Sequence, residues 1–227
     1  MSLVRILCLA NSYKQDNRCV AGINLVTVKW VRLVGLKVPG CLTLKEACYP
    51  DGKEAALLDV FEAELGEPCA SNGHPEDVFV AERPWRLLRR FDEPPDAQLL
   101  MSFVNEEPVV LQGYCDRVPT RKFEERQAEV SLGLVNPDDL WWWIREENGK
   151  RKNRAVFRLG HIGHIRYDLP VTDPGMLNML NLLPAGIHPN TLLCGREPTR
   201  TLLTISLSEP FDGFHYKLVA GVVNLPA

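Results

Sequence analysis

The chain has 227 residues, a formal charge of −3, and 45% hydrophobic against 24% charged residues. That length supports one large β domain or two of roughly 100–120 residues each, with a real core to bury. A charge so near neutral excludes a globally basic nucleic-acid binder, so any such surface must be a local patch.

Short runs of β-branched and alternating apolar residues predict strands along the whole chain. They are Val4–Leu9, Arg18–Leu25, Thr27–Val34, Leu57–Ala63 and Val78–Ala81 in the first part. Val109–Cys115, Arg154–Leu159, Ile162–Leu169, Arg200–Leu207 and Tyr216–Leu225 follow. Each is bounded by Gly, Pro, Asn or Asp, residues that favour turns. Helices are few. Asn136-Pro137-Asp138-Asp139 has a helix-start pattern, predicting a helix over Leu140–Glu147 that stops at Asn148-Gly149. A second helix is expected from Pro174 to about Leu183. The pattern is all-β with a few short helices, as in sandwiches and small barrels.

Phe91–Asp96 interrupts the strand pattern, which places a boundary near residue 105 and two domains, 1–105 and 106–227. Val20-Ala21-Gly22-Ile23-Asn24-Leu25 is echoed by Val219-Ala220-Gly221-Val222-Val223-Asn224-Leu225, so an internal duplication stays open. The opening residues lack a signal-peptide core, and no apolar run approaches the ~18 residues of a membrane helix. Seven scattered cysteines without a CxxC pair suit free thiols in a reducing cytoplasm.

No phosphate loop, dinucleotide fingerprint, nucleophile elbow or HExxH motif is present. Gly160-His161-Ile162-Gly163 has GxxG spacing but sits in strand-like sequence. His161 and His164 would face opposite sides of a strand, and His188 with Cys194 lacks two further zinc ligands. No catalytic residue, metal or cofactor is therefore assigned.

The basic segment is the strongest electrostatic signal. Between Asn148 and Tyr167 lie Lys150, Arg151, Lys152, Arg154, Arg158 and Arg166, with no acid among them. Trp141-Trp142-Trp143 precedes it. On a helix these indoles diverge, so at least one must approach the surface. Cations beside exposed rings suit single-stranded nucleic acid, which needs phosphate partners and stacking faces. Trp142, Lys150, Arg151, Lys152, Arg154 and Arg158 are the candidates here. In the first half the candidates are Lys14, Arg18, Trp30 and Arg32. Arg83–Arg90 is a second basic run around Trp85. Near the end, Asp173 is both a natural helix cap and, with Lys217, a candidate for a polar pocket.

Leu9-Ala10-Asn11-Ser12, Arg18-Cys19-Val20-Ala21-Gly22 and Trp30-Val31-Arg32 resemble the opening of the dual OB-containing domain. Leu58-Asp59-Val60 and His74-Pro75-Glu76-Asp77 resemble its middle, and Asp168–Pro174 with Tyr216–Gly221 its end. The resemblance implies two small OB-like barrels packed together, in a prokaryotic protein linked to defence. It implies a non-catalytic role in sensing single-stranded nucleic acid or a nucleotide-like ligand. Leu33 stands where the pattern has proline, and Asp77 where it has asparagine. Two alternatives are a module docking a partner effector protein and, third, a nucleic-acid enzyme holding metal on Asp59, Glu76, Asp168 and Asp173.

Overall fold

The structure is a computed structural model. It describes all residues except 1, 15, 71–72, 93, 126–128, 161–165, 194–198 and 227. Two compact units divide it, Met1–Ser102 and Phe103–Ala227.

In the first unit, β1 (Ser2–Lys14), β2 (Asn17–Asn24) and β3 (Lys29–Val34) form an antiparallel meander. β4 (Asp59–Pro68) and β5 (Asp77–Val80) follow, and β6 (Arg86–Arg90) is added outside β4. β3 pairs with β5 in parallel, β5 with β4, and β4 returns to β1. The order β1-β2-β3-β5-β4 thus closes on itself as a five-stranded, OB-like barrel. Alternate residues fill it: Ile6, Cys8, Val20, Leu33, Phe61 and Ala63 point inward. The connection from β3 to β4 adds Leu42, Ala47, Tyr49 and Ala55 to the core, and Trp85 stacks on Phe61 with centroids 4.7 Å apart. The helix α1 (Pro94–Met101) ends the unit.

In the second unit, β7 (Arg117–Pro119) and α2 (Arg121–Glu124) precede β8 (Leu132–Val135). Next come β9 (Asp139–Glu147), β10 (Lys150–Arg158), β11 (Tyr167–Pro170) and α3 (Pro174–Leu180). The unit closes with β12 (Gly186–Pro189), β13 (Thr199–Leu207) and β14 (Phe214–Pro226). β9, β10 and β11 are the meander, with β12 on the free side of β9. β13 pairs with both β14 and β8. A parallel bridge between Val171 and Val219 joins β11's end to β14. Taking β8 and β9 as one strand broken at residues 136–138, the order repeats that of the first barrel. One core, with Leu140, Trp142, Ile144, Phe157, Tyr167, Leu169 and Ile205, lies between the two sheets.

Two expectations are corrected. Leu140–Glu147 is a strand, not a helix. Leu140, Trp142 and Ile144 are buried at every second position, which is strand periodicity. Asn148 and Gly149 have φ of 53° and 70° and form the two-residue turn of the β9–β10 hairpin. Asn-Gly is a strong hairpin signal, and here it outweighs the helix-start pattern of 136–139. Val109–Cys115 is not a strand either. Leu111 and Gln112 adopt φ of 47° and 71°, which coils the segment and puts Val110 and Leu111 into the core. The expected helix after Asp173 is present, with the Asp173 carboxylate accepting from Met176 N at 3.1 Å. The sequence echo does not mark a duplication: residues 20–25 begin in the second strand of one barrel, whereas residues 219–225 lie in the fifth strand of the other.

Candidate nucleic-acid interface

On β9, the side chains opposite the core are Asp139, Trp141, Trp143, Arg145 and Glu147. The register sets Val156 beside Trp141, Arg154 beside Trp143 and Lys152 beside Arg145. Asp168 of β11 lies next to Val156, and Ile187 of β12 beside Trp143. A single sheet face therefore carries two indoles flanked by cations.

The cations are held by carboxylates of neighbouring strands. Asp168 accepts from Arg154 Nε at 2.5 Å and from Arg145 at 3.1 Å. Glu147 binds Lys152 and Arg145, and its pKa is lowered, mainly by the Lys152 hydrogen bond. Asp139 accepts from Arg158 at 2.7 Å and from the Trp141 indole N–H at 2.6 Å. The Arg145 guanidinium stacks on Trp143, 3.2 Å from the ring centroid. Lys150, Arg166 and Arg200 have no carboxylate partner among the described residues. The acid-free run of sequence is thus not an acid-free surface. Sheet pairing brings in Asp139, Glu147 and Asp168 from outside it.

The remaining candidates separate clearly. Trp142 is fully buried, its indole N–H donating to Asn190 Oδ1 at 3.0 Å. The outward indoles are its neighbours Trp141, 38% exposed, and Trp143, half-buried. Arg151 donates to the carbonyls of Leu180 and Leu183 at the end of α3, a natural place for a cation. Asp173 also accepts from Val222 N at 2.8 Å, and burial raises its pKa. Lys217 is fully buried, donates to Gly113 O and lies 5.3 Å from the Tyr167 ring centroid.

In the first barrel, Arg32 and Asp77 form a bidentate pair of 2.6 and 2.8 Å, each no more than 5% exposed. Arg18 is paired in the same two-pronged way with Glu54 and stacks on Tyr13. Lys14 donates to Gly40 O at 3.1 Å, and Trp30 is half-buried. Asp77, the departure from the expected asparagine, is therefore the counter-ion of Arg32, and Leu33 is a core residue. The arginines of Arg83–Arg90 pair with Glu64, Glu62, Asp96 and Asp59, with Trp85 inward. His161, His164 and Cys194 lie outside the described residues. Among the described residues no three His, Cys, Asp or Glu are grouped to hold a metal ion. None of their helices is long and apolar enough to cross a membrane.

The model of the dual OB-containing domain matches residues 4–222. The chain belongs to that family. No curated protein and no solved structure matches it. In OB folds generally, the face of the second and third strands with its flanking loops binds oligonucleotides and oligosaccharides. The Trp–Arg face of this dual OB-containing protein spans the first three strands of its second barrel, so it includes that general binding surface. Sequence reasoning selected Trp142 and passed over Trp141, Trp143, Arg145 and Arg200. The Asn-Gly turn, taken as a hairpin, would have put the outer two indoles on the outer face.

Proposed function

We propose that this protein is a non-catalytic module that binds single-stranded nucleic acid on the outer face of β9, β10 and β11. The observation that carries the reading is the pair Trp141 and Trp143, projecting from one face of a strand, with arginines at their sides. Bases stack on such rings without regard to sequence. The paired arginines orient the rings, and Lys150, Arg166 and Arg200 supply phosphate contacts. A role as a cytoplasmic nucleic-acid sensor in prokaryotic defence accords with the family resemblance.

The neutralised centre of the face favours a second reading, a protein partner, since Trp and Arg also dominate protein interfaces. Anisotropy with a labelled single-stranded oligonucleotide at two salt concentrations separates the readings. Nucleic-acid binding predicts that Trp141→Ala with Trp143→Ala weakens affinity at least tenfold, about 1–3 kcal/mol being at stake per stacked base. No binding at low salt, or full affinity in the double variant, would overturn the proposal.

A further inference from the structure

Two clefts meet at Trp141. One, of about 460 Å³, lies over the sheet face and is lined by Asp139, Trp141, Val156, Arg158, Arg166 and Ile187. The other, of about 640 Å³, lies where the first strand breaks; its lining includes Asn136, Asp138, Trp141, Asn190, Thr191 and Arg200. Both volumes fall in the range of ligand sites, roughly 300–1,000 Å³. Trp141 and Asp139 line both. Asp139 holds the indole N–H, and Arg158 holds Asp139, so the ring is fixed as a wall between the clefts.

Each cleft also has one arginine without a carboxylate partner among the described residues, Arg166 in the first and Arg200 in the second. The second cleft has a carboxylate that the first lacks. Asp138 uses its backbone N–H on Arg158 O, and its side chain has no ion-pair partner among the described residues. A carboxylate offers two acceptors side by side. Guanine is the base whose pairing edge presents two adjacent donors, N1–H and the N2 amino group. Adenine, cytosine and thymine each present a single donor group there.

From this we infer that the interface takes two successive nucleotides of a single strand, one base on each side of Trp141, with guanine preferred in the cleft of Asp138. The inference rests on the proposed nucleic-acid reading and adds a subsite and a base preference to it. Arg166 and Arg200 then neutralise the flanking phosphates, and Asn136 and Thr191 offer further hydrogen bonds at the second cleft.

The test uses the full chain and three labelled hexanucleotides, thymine throughout except for a central guanine, adenine or cytosine. The guanine strand is expected to bind about tenfold tighter than the others, the discrimination of one good bidentate contact. Asp138→Asn should remove that preference, and by taking a negative charge away from the bound phosphates it should bind the adenine and cytosine strands somewhat more tightly. Trp141→Ala should weaken all three strands at least tenfold. Arg200→Ala should weaken all three strands more mildly. Equal binding of the three strands by the native chain, or a guanine preference that survives Asp138→Asn, overturns the subsite while leaving the interface standing. Failure of all three strands to bind at low salt removes the interface itself.

Discussion

The two barrels share a strand order, and the Arg32 pair of the first contrasts with the arginines on the outer face of the second. In the first barrel Arg32 and Asp77 sit on neighbouring strands, β3 and β5, and are sealed from water. In the second, Arg145, Arg154 and Arg158 are paired on an open face, with side chains between 22% and 53% exposed. The same bond type therefore serves two ends. A sealed pair fixes strand register, because loss of either partner strands a charge in a dry interior. A half-open pair stays at the surface, and one such guanidinium, that of Arg145, stacks on the neighbouring Trp143 ring.

Removing one partner from each side gives the largest contrast. Asp77→Ala should lower unfolding free energy by about 3–5 kcal/mol, the cost of an uncompensated buried charge. Asp168→Ala, which frees Arg154 and Arg145 at the surface, should lower it by about 1 kcal/mol or less. Urea denaturation of both variants checks this. Equal losses would mean that the two networks are not different in kind. Arg32→Met with Asp77→Leu should recover most of the first loss, since an apolar pair of similar bulk can replace a buried ion pair.

The tryptophans repeat the contrast inside one strand. Trp142→Ala should cost about 3–5 kcal/mol, through the cavity it leaves and the lost partner of Asn190. Trp141→Ala and Trp143→Ala should each cost much less, because both rings are already partly open to solvent. Reversed stabilities would place the wrong indole in the core.

How much of this was legible in the sequence follows from what each signal depends on. Strand alternation is local, so most strands and the all-β class could be read directly. The β9 helix expectation failed because 136–139 and 148–149 gave competing local signals, and only pairing with β10 decides between them. The basic run misled for a longer-range reason. Arg154 and Asp168 are 14 residues apart and adjacent in the sheet, and Glu147 and Asp168 each lie one residue outside the acid-free run. The burial of Arg32 is invisible for the same reason, since Asp77 reaches it through a parallel pairing. The cleft of Asp138 depends on residues 136–139, 189–191 and 200–201 converging, which no spacing rule anticipates.

Lys217 extends the comparison to a buried cation whose hydrogen bond goes to a backbone carbonyl and not to a carboxylate. Burial holds its pKa down, from 10.5 to about 8. Between those values the unfolded chain binds more protons than the folded one, so stability should rise as pH goes from 8 toward 10.5. Below pH 8 the full cost of burying the charge is present, on the order of 1–3 kcal/mol. Lys217→Met should flatten that rise, measured by thermal unfolding across the interval. A slope unchanged in the variant would assign the pH dependence to another group.

The smallest effect is the most diagnostic for the open face. If only Lys150, Arg166 and Arg200 meet phosphates, affinity for a single strand should fall with log salt at a slope of roughly −2, from about 0.7 per contact. Triple replacement of Lys150, Arg151 and Lys152 by Ala should reduce that slope by only about 0.7. Arg151 already holds α3 and Lys152 already holds Glu147, so Lys150 alone of the three is available to a phosphate. A loss near 2 would mean that the bound strand opens those pairs, and that the carboxylates of the face are exchanged for phosphates when the ligand arrives.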